Sequence, residues 1–273
     1  MKRHRIGRSG VAAGLLILSA GGLAGAQSLA QIQAYGLQET PPLPVPPPAA
    51  SDGLTVPVRT IPPQFREALA PYGRWVDMPH WGWCWRPSAE VVGIGFRPYV
   101  TGGRWVYTSD GWTFDTKWAW GWAAFHYGRW FYEEGNGWLW LPGFAWGASW
   151  VSWRFGDGYV GWAPLGPPGF DWPNVTFTAW NFAEIRYLAS RSLITHVSMY
   201  PGMVARYFAL TRPIRDVIAV GSVRWYTGPQ PRAFEQHGVH VDVVERPRPQ
   251  SLRLLPGVRP PPYGRRIRPA PPT

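Results

Sequence analysis

Gly103-Arg104-Trp105-Val106-Tyr107-Thr108-Ser109-Asp110-Gly111-Trp112-Thr113-Phe114 is the stretch that decides the fold. In an extended chain Trp105 and Tyr107 share one face, as do Trp112 and Phe114, and Asp110-Gly111 between the two runs is turn chemistry. Alternating runs on either side of such a turn read as an antiparallel hairpin. The opening recurs as Gly73-Arg74-Trp75-Val76 and Gly128-Arg129-Trp130-Phe131, at spacings of 30 and 25 residues. The matching second strands are Trp83-Cys84-Trp85 and Trp138-Leu139-Trp140, the latter entered through Asn136-Gly137. A fourth unit runs from Trp150-Val151-Ser152-Trp153 to Tyr159-Val160-Gly161-Trp162 around Gly156-Asp157-Gly158. The fold class expected is therefore all-β: repeated antiparallel hairpins whose sheet curls into a small barrel or a sandwich to protect its edges.

Outward from the hairpins the composition changes. Sixteen of the 19 tryptophans lie between Trp75 and Trp162, whereas nine of the 31 prolines fall between Thr40 and Pro63 and nine more between Arg246 and Thr273. The parts expected are a signal peptide over 1–26, a proline-rich tether over 27–63, a tryptophan-rich hairpin domain over 64–170, a less regular region over 171–245 and an Arg/Pro-rich tail over 246–273. Lys2, Arg3, Arg5 and Arg8, the apolar run Val11 to Leu23, and Ala24-Gly25-Ala26 give the first segment the form of a secretory signal. Pro41-Pro42-Leu43-Pro44-Val45-Pro46-Pro47-Pro48 favours an extended, disordered spacer. Pro62-Pro63 then opens, and Pro71 closes, a short helix in which Phe65 and Leu69 stand one turn apart.

Charge is uneven. Charged residues make up 16% of the chain against a usual ~25%. Residues 73–203 carry as many acidic as basic groups, but the twelve cations from residue 204 onward are all arginines and face four acids. Such a tail suits phosphate or carboxylate groups on an anionic surface. Nucleic acid is not expected as a partner of an exported protein. One cysteine, Cys84, excludes a disulfide scaffold and a CxxC-type zinc site, and its place between Trp83 and Trp85 makes it a core thiol on the opposite face.

Phe65 with Ala68-Leu69, Pro71-Tyr72-Gly73-Arg74-Trp75-Val76, Phe125-His126-Tyr127-Gly128-Arg129-Trp130, Gly137-Trp138-Leu139-Trp140-Leu141-Pro142-Gly143, Trp150-Val151-Ser152-Trp153-Arg154 and Gly161-Trp162-Ala163-Pro164-Leu165 follow one another in an order that resembles an exported bacterial tryptophan-rich family, some of whose members are joined to FecR-type sensor regions. The resemblance covers roughly residues 62–170. It implies a fold and an exported, periplasmic or outer-surface location, and no reaction, because function in that family is not established. Trp83-Cys84-Trp85 departs from its usual pattern.

One aromatic face per hairpin would build the core, yet rings of ~150–250 Å² each exceed what so small a core comfortably encloses. Some are expected to line a groove, where flat indoles suit sugar rings. Trp81, Trp118 and Trp146 lie at strand ends or outside strands and are the ligand-binding candidates. Arginines beside tryptophans are expected to stack on neighbouring rings.

Asp110, Asp157 and Glu133-Glu134 read as turn residues, so no catalytic residue is assigned. His237-Gly238-Val239-His240, with Glu235 and Asp242 nearby, reads as a strand with Val239, Val241 and Val243 alternating, and neither a metal nor a cofactor is expected. The function expected is a non-catalytic exported envelope scaffold or interaction module. Alternatives are a module that binds envelope or extracellular polysaccharide, and an enzyme acting on an envelope polymer. Cell-wall or envelope polysaccharide, or another envelope protein, would be the partner.

Overall fold

The computed structural model describes residues 58–168, 170, 179–221 and 223–246. The signal peptide, nearly all of the tether and the tail beyond Arg246 lie outside the described residues. Helix α1 (Pro63–Leu69) starts at the proline pair and buries Phe65 and Leu69 completely; a 3-10 turn, Ala70–Tyr72, ends it at Pro71. Four hairpins follow: β1 (Gly73–Met78) with β2 (Gly82–Pro87), β3 (Gly103–Thr108) with β4 (Gly111–Thr116), β5 (Arg129–Glu133) with β6 (Gly137–Leu141), and β7 (Val151–Gly156) with β8 (Tyr159–Pro164). They are the four read from the sequence. One-turn helices α2 (Ala89–Val92) and α3 (Gly121–Ala124) fill the links around β3–β4.

The chain after residue 170 supplies β9 (Asn181–Glu184), two 3-10 turns (Ile185–Tyr187 and Leu193–His196), α4 (Pro201–Leu210), β10 (Arg212–Ile214), the hairpin β11 (Val217–Val220) and β12 (Val223–Tyr226), and α5 (Pro231–Glu235). The described strands form antiparallel sheets, with few and short helices: β1-β2-β6-β5, β10-β7-β8-β9, and the two separate hairpins β3-β4 and β11-β12. No barrel closes among the described strands. Two four-stranded sheets with buried faces correspond to the sandwich alternative.

Register turns the repeats into aromatic ladders. Trp75 pairs with Trp85, Trp85 with Trp140, and Trp140 with Trp130; in the second sheet Trp153 pairs with Trp162. Because side chains alternate, the other face of the first sheet carries Cys84, Phe131, Leu139 and Leu141. Both faces are covered. Trp85, Trp130, Trp140, Trp153 and Trp162 join the larger core with Phe65, Tyr99, Trp105, Phe125 and Trp225, and the opposite face joins a smaller cluster with Trp81, Trp180, Phe182, Val204 and Phe208. Trp105 stands against Trp153 with centroids 4.6 Å apart, and Tyr99 lies parallel to Trp105 at 5.7 Å.

The expected strand over Val239 to Val243 is not formed. Gly238, at φ +71°, follows α5, and the chain then touches β3 at one point, where Val243 bridges Tyr107 and the Val244 N–H donates to the Tyr107 carbonyl at 2.8 Å. Alternation here serves to bury Val241 while Val243 stays exposed.

Candidate functional site

Most of the indoles are occupied in holding the fold. Besides their packing, Trp112, Trp130, Trp140, Trp150, Trp162 and Trp225 donate their Nε1–H groups to the carbonyls of Pro229, Ala124, Tyr127, His126, Tyr99 and Asp110, at 2.7–3.0 Å. All six acceptors lie outside the named strands. A buried carbonyl in a connection needs a donor, and an indole reaching from a strand face supplies it without breaking the ladder. The arginine of the third Gly-Arg-Trp repeat behaves as the sequence indicates: the Arg129 guanidinium lies 3.7 Å over the Trp150 ring.

The three tryptophans picked as exposed platforms fare differently. Trp81 is buried, its ring against Phe131 and Phe170, because the chain beyond β8 returns over it. Trp146 is also buried, parallel to His126 at 5.9 Å and met edge-on by Trp225 of β12 at 5.6 Å. Their exposure is corrected by residues distant in sequence, which no local pattern shows. Trp118 is half-buried at the end of a stack with Trp120 (4.8 Å) and Phe125 (6.3 Å), and its six-membered ring occupies the place a side chain at Gly102 would take.

Gly102 leads to the molecule's most developed concavity, a cleft of about 320 Å³ between the open end of the β3–β4 hairpin and the turn Leu193–His196. Val100, Gly102, Gly103 and Arg104 form one side, Asp115, Thr116 and Lys117 another, and Arg191 and Ile194 the third. Its floor is bare backbone. A Cβ on Gly102 would meet the Trp118 ring at 2.5 Å, and one on Gly103 would meet Phe114 and the Asp115 carbonyl at 2.6 Å. Thr116 Oγ1 and the Lys117 N–H both donate to the Gly102 carbonyl, at 3.2 and 2.9 Å, which fixes the hairpin's mouth. Asp115, the cross-strand partner of Arg104, accepts Arg104 Nε at 3.8 Å and Arg246 Nη2 at 3.2 Å. The side chains of Lys117 and Arg191 make no ion pair or hydrogen bond among the described residues.

Other groups with chemical potential are placed structurally. Asp157 takes φ +46° between two glycines, and Glu133 accepts the Asn136 side-chain amide at 2.7 Å within its turn. The Asp110 N–H donates to Thr108 Oγ1, and its carbonyl accepts Trp225 Nε1. His240 and Asp242 form an exposed pair at 3.4 Å, and no three His, Cys, Asp or Glu residues converge among the described residues. Cys84 is fully buried opposite Trp85, and burial, helped by Asp77, pushes its thiol up to about 12. Sequence reasoning did not single out His126, Tyr99 or Arg97. Burial brings the His126 imidazole down to about 4, with Nδ1 3.1 Å from the Gly147 carbonyl, and desolvation lowers Arg97 to about 10 while Nε donates to Asn181 Oδ1 at 2.9 Å. Their only signal in the sequence is a polar residue amid aromatics.

Fold and site together define an all-β protein with an aromatic, indole-tied interior and a cationic cleft at one hairpin mouth. Residues 66–169 match the model of a family of unknown function (DUF6600). No curated protein and no solved structure matches the chain.

Proposed function

We propose that the protein is an exported, non-catalytic scaffold or interaction module of the bacterial cell envelope. The carrying observation is how its chemistry is divided. Indole faces and N–H groups serve the interior and the connections, while the surface cations gather at a cleft from which an arginine-rich chain continues. The signal-like first 26 residues support export, and the resemblance to exported proteins, some joined to FecR-type sensor regions, supports an envelope location. No helix among the described residues is long and apolar enough to cross a membrane. Of the tryptophan platforms on which a carbohydrate-binding alternative rested, half-buried Trp118 keeps support.

Fractionation of cells carrying a tagged copy tests location, with recovery in the periplasm or with outer-surface material expected; a cytosolic pool would remove the proposal. Incubation of purified protein with wall polysaccharides and glycosides tests the rest. No turnover is expected, and hydrolysis abolished by one carboxylate substitution would replace the module by an enzyme.

A further inference from the structure

We infer that the cleft at the β3–β4 mouth binds an acidic sugar unit of an envelope or extracellular polysaccharide, through Lys117 and Arg191, with the chain from Arg246 onward following the polymer out. The inference deepens the envelope-module proposal and rests on it. Four cations, Arg104, Lys117, Arg191 and Arg246, surround the carboxylate of Asp115. That carboxylate is matched by Arg104 and Arg246, which leaves Lys117 and Arg191 on different walls to meet a ligand's negative charge.

The other walls say what else the ligand carries. Asp115 and Thr116 offer oxygens to hydroxyl donors, whereas buried Val100 and Ile194, 44% exposed, offer apolar contact. A sugar acid presents all three features: a charge, hydroxyls and a C–H face. A neutral sugar would leave the two cations unmet, and a flat anionic bilayer would bring its charge to Asp115 without hydroxyl donors to satisfy it. The volume lies at the lower end of the roughly 300–1,000 Å³ that holds small ligands, so the cleft takes a short stretch of polymer rather than a protein segment. Continuation is supplied by sequence. After Arg246 come Arg248, Arg253, Arg259, Arg265, Arg266 and Arg268 with no acidic residue.

Calorimetric titration of the full mature chain with polygalacturonate, neutral dextran and phosphatidylglycerol vesicles tests this, with thermal melts and a reducing-end assay on each mixture. Polygalacturonate is expected to bind and dextran not, with affinity falling as salt rises. The double substitution Lys117→Gln/Arg191→Gln, at exposed positions, should weaken polygalacturonate binding by about tenfold or more with the melting temperature unchanged. Replacing the six arginines after Arg246 by glutamine should weaken binding while leaving a further loss on adding the cleft pair. Binding unaffected by the cleft pair, binding to vesicles alone, or no binding to polygalacturonate overturns the inference. A protein that fails these titrations yet fractionates with the envelope leaves the module proposal standing. Release of reducing ends would overturn that proposal even if the cleft binds.

Discussion

Tyr99 has φ +61°, a conformation that a bulky residue rarely adopts. What holds it there is a set of contacts made by one side chain and its own carbonyl. The hydroxyl donates to the Phe125 carbonyl at 3.1 Å and accepts the Trp150 N–H at 3.3 Å, and the Tyr99 carbonyl accepts Trp162 Nε1 at 3.0 Å. Tyr99→Phe keeps the ring but leaves a buried N–H and a buried carbonyl short of a partner, so urea denaturation should show a loss of about 1–3 kcal/mol. An unchanged midpoint would mean that these bonds contribute nothing. His126 provides a pH signature. Its folded pKa of about 4 lies below the 6.5 of the free side chain, so the unfolded chain binds the extra proton between those values and the folded chain does not. The contribution of the neutral imidazole is therefore complete above about pH 6.5 and is lost as pH falls toward 4, a change of up to about 3 kcal/mol. Melting temperatures of His126→Asn and the parent should diverge least at pH 4.5 and most at pH 7; parallel profiles would rule out His126 as a source.

At the scale of elements, the hairpins were legible because a period of two with Asp-Gly, Asn-Gly or Gly-Asp-Gly turns is a local signal. Helix α1 was legible from its prolines. What holds α4 was not, because its main anchor comes from β7, more than fifty residues earlier. Arg154, buried in the second sheet, donates Nε to Thr211 Oγ1 at 3.1 Å and Nη2 to the carbonyls of Phe208 and Thr211, and its guanidinium lies 3.7 Å over the Phe208 ring. Those carbonyls are at the C-terminal end of α4, where the helix leaves acceptors unsatisfied and favours a cation. Arg154→Met should keep the apolar stem but strip the cap, at a loss of about 2–4 kcal/mol. Hydrogen exchange is the discriminating measurement. Amides of Pro201–Leu210 should lose protection first, while those of β5 and β6 keep theirs; uniform loss would show that Arg154 supports the whole core instead.

The whole molecule is where sequence reasoning had least to work with. Repeats marked residues 64–170 as a domain, and the family match ends at 169, but neither reveals what covers the repeats' outer rings. The residues that do so carry no hairpin repeat: Trp225 abuts Trp146, Phe234 lies 5.2 Å from Trp112, and Trp180, Phe182 and Phe208 fill the cluster beneath Trp81 and Cys84. The cleft was invisible for the same reason, since Arg191 and Arg246 reach the β3–β4 mouth from beyond the repeats. A chain ending after Phe170 loses more than these rings. In the second sheet, ordered β10-β7-β8-β9, it strips both outer strands and leaves a two-stranded hairpin with two bare edges. Each buried aromatic removed corresponds to about 3–5 kcal/mol, and several together exceed the 5–15 kcal/mol by which a domain is usually stable. The truncated chain should therefore give no cooperative thermal transition and a weakened near-ultraviolet tryptophan signal, whereas a chain of residues 58–246 should melt as the full protein does. Should the chain ending at Phe170 unfold in a single sharp transition, the four hairpins would be a self-sufficient domain and everything after them an addition to it.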